Sequence, residues 1–181
     1  MFNKLKPLFK KKSSVCEQAD TKIEESQVDF PIDRTDYFFD HALVFYCEEN
    51  DVSSEKLSKS DMLLISKRAS FHLSIFLAWL AKHDFLNLQS DEFNLEDAQK
   101  LKNEMITGTD YLSKHLDEKL YSTDISDILL PFISDFYEDY MDFCYTVLVD
   151  DVTRTEFDWK IYHLVEDDIN EIFSQYSSLI R

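Results

Sequence analysis

Residues 70–81 read Ser70-Phe-His-Leu-Ser-Ile-Phe-Leu-Ala-Trp-Leu-Ala81 and contain the most apolar stretch of this 181-residue chain. Placed on a helix of 3.6 residues per turn, its apolar side chains point in every direction, which is typical of a helix buried at the centre of a protein. The stretch is too short to span a bilayer and is interrupted by His72 and Ser74. It therefore predicts a central core helix, with these side chains in the core: Phe71, Ile75, Phe76, Trp79 and Leu80.

Helical patterns also lie on both sides of this stretch. Aromatic residues spaced as one helical face follow Asp36, a long helix is expected from Pro131 to about Val149, and apolar residues with helical spacing end the chain. A single Gly and three Pro argue against a hairpin-rich β fold. Because 44% of the residues are hydrophobic, the chain can form a core. We predict an all-α fold, a compact single-domain bundle of about six helices over residues 29–181.

Several helix boundaries can be predicted from capping residues. Ser60 and Asn94 are expected N-caps, because their side-chain oxygens can accept hydrogen bonds from the free amides of a first helical turn. Gly108 is expected just past the end of a helix over 95–106, where a left-handed residue favours glycine. A further short helix is expected over 110–119.

Residues 1–28 differ in charge from the rest of the chain. The first twelve residues hold five lysines and no acid; since the whole chain carries −17, the remainder carries −22. No long apolar run follows the lysines, so we predict a flexible tail and no signal peptide. The tail is either a leader without a role or a weak attachment to a membrane or to an acidic surface. Near an anionic membrane each lysine contributes about 1 kcal/mol, but the sequence shows no second anchor.

The composition excludes several classes of function. An acidic surface repels nucleic acid, and one glycine cannot build a phosphate-binding loop, a dinucleotide fingerprint or a nucleophile elbow. Three scattered cysteines suggest neither a disulfide framework nor a zinc site, so we expect a cytoplasmic protein. No histidine pair has metal-ligand spacing, and His72 is expected in the core. A Ser–His–Asp triad assembled from distant residues would leave no local trace. We expect no catalytic residues, metal or cofactor, and a protein that is not an enzyme.

One segment has an unusual charge pattern. Residues 120–153 contain eight acids and no Lys, Arg or His. On a helix over 131–148, four of these acids fall within roughly 100° of arc, opposite an apolar side, with Tyr137 and Tyr145 along one border. The candidate partner-binding residues are therefore Asp135, Tyr137, Glu138, Asp139, Asp142 and Tyr145.

Two interpretations of this pattern remain open. The acids could be the solvated side of a helix in an acidic protein, or they could be a docking surface for a basic partner. Four like-charge pairs at i,i+3 and i,i+4 cost on the order of 1–2 kcal/mol in total, and a single lysine would remove most of that cost. Tyrosines are enriched at interfaces, and carboxylates steer a positive partner. Four acids of the last helix are candidates to extend the surface: Glu166, Asp167, Asp168 and Glu171.

The 70–81 stretch also resembles the "THIGMFLAW" helix of a family of small bacterial domains. Motifs in similar order follow it, namely Ile106-Thr, Tyr111-Leu, Asp117-Glu-Lys-Leu120, Phe136-Tyr, Asp139-Tyr140 and Tyr162-His-Leu-Val165. The resemblance covers about residues 70–180 and consists mostly of core residues. Over residues 30–68 the chain departs from the pattern, because a longer helical region replaces a short glycine-containing segment.

Proteins of that kind look like immunity proteins that neutralise polymorphic toxins. The resemblance implies inhibition by binding a cognate toxin, and it brings no catalytic residues with it. The alternative is an acidic adaptor or regulator that binds another basic protein, with a possible membrane tether through residues 1–12. Both readings predict a non-enzymatic protein whose partner is a basic protein.

Overall fold

The computed structural model describes residues 29–88, 92–148 and 152–180, so the predicted tail over 1–28 lies outside the described residues. The described chain forms seven α-helices and one small antiparallel sheet, which confirms the all-α class with one helix more than expected. In chain order the elements are β1 (Pro31–Arg34), α1 (Asp36–Asn50), α2 (Lys59–Ala69), α3 (Phe71–Lys82), α4 (Glu92–Lys102), α5 (Gly108–His115), β2 (Lys119–Tyr121), α6 (Ile133–Val147) and α7 (Trp159–Ser177).

Helix α3 is the centre of the fold, as its sequence predicts. All of its residues from Phe71 to Ala81 are buried. The Phe76 ring lies 4.9 Å from the ring of Tyr137 on α6, and the Trp79 ring lies 4.9 Å from that of Phe173 on α7. Helices α6 and α7 thus pack aromatic side chains on α3, which explains why a helix that is apolar all round lies at the centre of the larger cluster.

Helices α1 and α2 form a second, smaller hydrophobic cluster. Its buried members are Ala42, Tyr46, Ile65 and Ala69. Ser58 caps α2 by accepting a hydrogen bond from the amide of Asp61, so the predicted cap at Ser60 lies two residues too far along the chain. Helices α2 and α3 meet at Ser70 with a bend of 56°. Among the described residues no single helix is long and apolar enough to cross a membrane; these two pass such a test only as a bent pair.

The two strands join distant parts of the chain. Asp33 of β1 is paired with Leu120 of β2, and a bulge interrupts the register between Pro31 and Asp33. Strands of four and three residues contain too few positions for an alternating pattern, so nothing in the sequence predicts them.

Two further boundary predictions are corrected. Asn94 lies inside α4 and accepts a hydrogen bond from Tyr111 instead of capping the helix. Gly108 does not end a helix but is the first residue of α5. Helix α4 ends at Lys102, and the left-handed residue that follows it is Glu104, with a φ of 61°. A Cβ on Gly108 would lie 2.0 Å from the carbonyl oxygen of Ser74 on α3. The one glycine therefore allows close approach of α5 to α3.

Candidate functional site

Helix α6 has one buried and one acidic side, as predicted. Its buried residues are Ile133, Phe136, Tyr137, Tyr140 and Cys144. On the opposite side Asp135, Glu138 and Asp142 are exposed, and Asp139 is half-buried. We call these four acids the acidic stripe. Val147, the last residue of the helix, is 59% exposed.

The stripe carries negative charge without a cation partner in the part of the chain that the structure describes. Within the described part of the chain, none of its four carboxylates forms an ion pair, whereas other acids do. Arg154, the nearest arginine in sequence, instead lies 3.6 Å from Glu49 on α1. Because the like charges stay unpaired, the repulsion predicted from the sequence acts in the folded protein and costs about 0.2–0.5 kcal/mol per pair.

Tyr176 on α7 is affected by this charge. Its hydroxyl donates a hydrogen bond of 2.5 Å to Asp139. That bond raises the pKa of Tyr176 to about 12, with further contributions from burial and from the charges of Asp139, Asp135 and Glu138. Tyr176 thus joins α7 to the acidic side of α6 through Asp139.

The two tyrosines predicted to border the stripe have different environments. Tyr145 is 53% exposed, and its ring lies 6.5 Å from that of Phe38 on α1. Tyr137 is only 7% exposed, so the prediction that it contacts a partner needs correction. It is buried because β1 covers that border of α6, and the helical period alone could not reveal this cover.

The buried carboxylate of Asp33 fixes α6 against β1 and α3. Asp33 accepts a hydrogen bond from the hydroxyl of Tyr137, and its Oδ2 lies 2.8 Å from Nε2 of His72. His72 is fully buried, as predicted, and its Nδ1 has no hydrogen-bond partner in the described chain. Burial, with the nearby Asp33 charge second, raises the pKa of Tyr137 well above its ordinary range. These bonds hold the buried side of α6 inward, which turns the stripe outward.

An apolar groove lies beside the start of the stripe, and sequence analysis did not find it. It has a volume of about 180 Å³. It is lined by Phe30, Pro31, Ile32, Ser134, Tyr137 and Glu138, and we call it the β1 groove. Phe30 is 38% exposed. The only sequence signal was Phe30-Pro-Ile32, an apolar run without helical spacing. The groove combines apolar surface with one carboxylate of the stripe.

Of the four α7 acids that were candidates to extend the stripe, Glu166 is already bonded to other residues. Glu166 accepts a hydrogen bond from Tyr162 and lies 3.3 Å from Nδ1 of His163. His163 in turn lies 3.1 Å from Glu104, which follows α4. Glu166 is therefore part of a polar cluster between α7 and the end of α4. Three other acids of α7 are exposed: Asp167, Asp168 and Glu171.

A second group of charged residues surrounds Asp97 on α4. Its carboxylate accepts hydrogen bonds from Lys114 and Lys100 and lies 2.9 Å from Nε2 of His115. These bonds hold the pKa of Asp97 well below its ordinary value. Because Lys114 and His115 belong to α5, the cluster joins α4 to α5. Its opposite charges compensate one another.

A polar cavity of about 220 Å³ lies next to that cluster. Its lining includes Asn94, Tyr111, His115 and Asp124. Burial raises the pKa of Asp124 and, together with the charges of Asp124 and Asp97, that of Tyr111. The cavity offers hydrogen-bonding groups to a small polar molecule.

Two further observations concern metal binding and thiol chemistry. In residues 29–88, 92–148 and 152–180, no three His, Cys, Asp or Glu side chains are placed to hold a metal ion together. Cys144 is buried, which raises the pKa of its thiol to about 12. Since the thiolate is the reactive form, this cysteine is inert near neutral pH.

Comparison with known proteins places the chain in a family. The family model described as "Domain of unknown function (DUF7832)" matches residues 39–164, which is more than half of the chain and includes α2 to α6. No curated protein and no solved structure matches.

Proposed function

We propose that this chain, which belongs to the DUF7832 family, is a non-enzymatic binding protein that holds a basic protein partner on the acidic stripe of α6. One observation carries the proposal. Three of the stripe carboxylates are exposed and the fourth is half-buried, and no cation of the described chain pairs with any of them. A partner that brings lysines or arginines would remove the repulsion along α6 and gain opposite-charge contacts.

The stripe and its surroundings supply two kinds of interaction. Exposed carboxylates of one sign accelerate the encounter with a positive patch and select against acidic partners. Tyr145 adds an exposed aromatic ring at one end of the stripe, and aromatic rings are common anchors at interface centres. Charge then provides the approach and orientation, while aromatic and apolar contacts provide much of the lifetime of the complex.

Within this class, we propose an immunity protein that neutralises a cognate bacterial toxin by occluding it. The resemblance of the 70–81 stretch and the motifs after it support this, as does the acidic stripe, since an acidic surface can cover the positive substrate cleft of a nuclease. The alternative is an adaptor or regulator that binds another basic protein. A toxin gene immediately upstream would favour the immunity role, and an isolated regulatory gene would favour the adaptor.

The test compares two charge reversals of equal size. The tagged wild-type chain, the stripe variant Glu138→Lys/Asp142→Lys and the control Asp40→Lys/Glu48→Lys on α1 are each used to capture proteins from the source organism. All four positions are exposed. We expect a basic protein that binds the wild-type and control chains and is lost from the stripe variant. Equal capture by both variants would refute the proposal.

The finer assignment needs a growth assay. If the captured protein is a toxin, cells that produce it should survive when they also produce the wild-type chain or the α1 control. The stripe variant should protect poorly. A captured protein that does not inhibit growth would point to the adaptor instead, and would leave the role of the stripe intact.

A further inference from the structure

The β1 groove and the acidic stripe form one continuous feature, because Glu138 belongs to both. One part is apolar and the other is a line of unpaired carboxylates. The matching occupant has apolar side chains next to several cations. We propose that this occupant is the basic segment of the chain itself, residues 1–12, which docks on the stripe and must be displaced by any outside partner.

The composition of residues 1–12 matches both parts of this surface. The segment holds five lysines and no acid, together with five large apolar residues: Met1, Phe2, Leu5, Leu8 and Phe9. In the described chain most lysines and arginines form ion pairs with acids outside the stripe, such as Lys82 with Glu104 and Lys102 with Asp84. Residues 1–12 are therefore the largest cationic group available to the stripe.

The described chain begins beside the groove. The Phe30 amide donates to Ser122 Oγ at 3.1 Å, and its carbonyl accepts from the Ser122 amide at 2.9 Å. Asp29 accepts hydrogen bonds from Ser122 and Thr123. These bonds fix the point from which residues 1–28 extend, and Phe30 itself lines the groove.

The connection is long enough to reach the stripe. A connecting segment of residues 13–28 has a root-mean-square span of roughly 20–24 Å if it behaves as a random coil. Asp135 and Asp142 are separated by about 10 Å along the axis of α6. A tethered segment at such a distance has an effective concentration in the millimolar range, so even a weak contact is substantially occupied.

This inference concerns the same face as the proposed function, but its test needs no outside partner, so either proposal can fail alone. The full chain is treated with a water-soluble carbodiimide, which joins a lysine amine to a nearby carboxylate as an amide while the reagent takes up the water. Mass spectrometry then locates the cross-links. We expect the lysines of residues 1–12 to be joined mainly to Asp135, Glu138 and Asp142, with a yield that does not depend on protein concentration.

Added salt and two double variants test whether the cross-links depend on the charge of the stripe. Between about 10 mM and 1 M salt the screening length falls from about 30 to 3 Å, and we expect the yield to fall about tenfold. In Glu138→Gln/Asp142→Asn the cross-links to the unchanged Asp135 should also fall, because docking is weakened. In the control Asp40→Asn/Glu48→Gln, which removes two exposed carboxylates from α1, the yield of cross-links to Asp135 should be unchanged.

Three results would overturn the inference. Cross-links that are absent, or spread over the exposed acids of all helices, would show no preference for the stripe. A yield that rises with protein concentration would mean that the segment docks on a second copy. Co-sedimentation of the chain with anionic vesicles, together with absence of the stripe cross-links, would assign residues 1–12 to a membrane.

Discussion

The hydroxyl of Tyr137 on α6 donates a hydrogen bond to the carboxylate of Asp33 on β1, although 104 positions separate the two residues in the chain. Both residues are buried. The same carboxylate lies 2.8 Å from His72 on α3, so one side chain joins β1, the core helix and α6. Together with the burial of Phe136 and Tyr140, this bond holds α6 in the rotation that turns its acids outward.

Replacing Tyr137 with phenylalanine removes this hydrogen bond while preserving the ring. Since hydrogen bonds to charged groups contribute about 1.5–3 kcal/mol, we expect Tyr137→Phe to lower the free energy of unfolding by that amount in a urea titration. Tyr145→Phe changes an exposed hydroxyl and serves as the matched control, with little expected change. Equal stability of the two variants would mean that the Asp33 bond does not hold α6.

Gly108 offers a test of the packing of α5 on α3. A methyl group there would overlap the carbonyl oxygen of Ser74, which is backbone and cannot rotate away. We expect Gly108→Ala to cost about 3 kcal/mol, at the upper end of the usual cost of overpacking. Thermal unfolding of the variant measures it. A melting temperature equal to that of the wild type, or above it, would contradict the close approach.

Alkaline pH should unfold the protein through its buried tyrosines. Burial raises the pKa values of Tyr137 and Tyr140 well above their ordinary value, and the hydrogen bond to Asp139 raises that of the half-buried Tyr176 from 10.0 to about 12. A raised pKa means that the folded protein keeps a proton that the unfolded chain releases. The stability from these groups is therefore complete below about pH 10 and is lost as the pH rises through their folded pKa values, by up to about 1.4 kcal/mol per pH unit for each of the buried Tyr137 and Tyr140.

Two measurements check this dependence. Urea unfolding from pH 8 to 12 should give a flat stability up to about pH 10 and a steep fall above it. Absorbance at 295 nm should show the tyrosinates of the buried residues appearing together with unfolding. If all nine tyrosines titrate near pH 10 in a chain that stays folded, the buried hydrogen-bond network is wrong.

Residues 1–28 should be dispensable for folding. All seven helices of the described chain lie after residue 35, and hydrogen bonds of Asp29 and Phe30 to Ser122 already fix the start of β1. A chain that starts at Asp29 should melt within a few degrees of the full chain. Aggregation, or a loss of more than about 2 kcal/mol, would show that the earlier residues pack into the core.

The sequence predicted burial and exposure correctly where the pattern lies within a single helix. The burial of α3 and the two sides of α6 follow from the 3.6-residue period, which converts positions into angles without any knowledge of the neighbours. For that reason Phe76, Trp79, Glu138 and Asp142 lie where they were expected.

The sequence failed where two distant segments create the feature. Tyr137 lies at the border of α6, and only β1 decides that it is buried. The β1 groove needs Phe30 and Ile32 next to Glu138, which no local pattern encodes. Gly108 was expected to end a helix, because glycine is common there, but its position is determined by the approach of Ser74 from another helix.

The most direct test of the central claim, that the acidic stripe binds a basic partner, is the association rate of the captured protein with the wild-type chain and with Glu138→Lys/Asp142→Lys. We expect the variant to be as stable as the wild type or more stable by about 1 kcal/mol, because like-charge pairs are removed. At low salt we expect its association rate to be about tenfold slower and less sensitive to salt. An unchanged affinity in a stable variant would contradict the account, and would mean that the stripe is only the solvated side of α6.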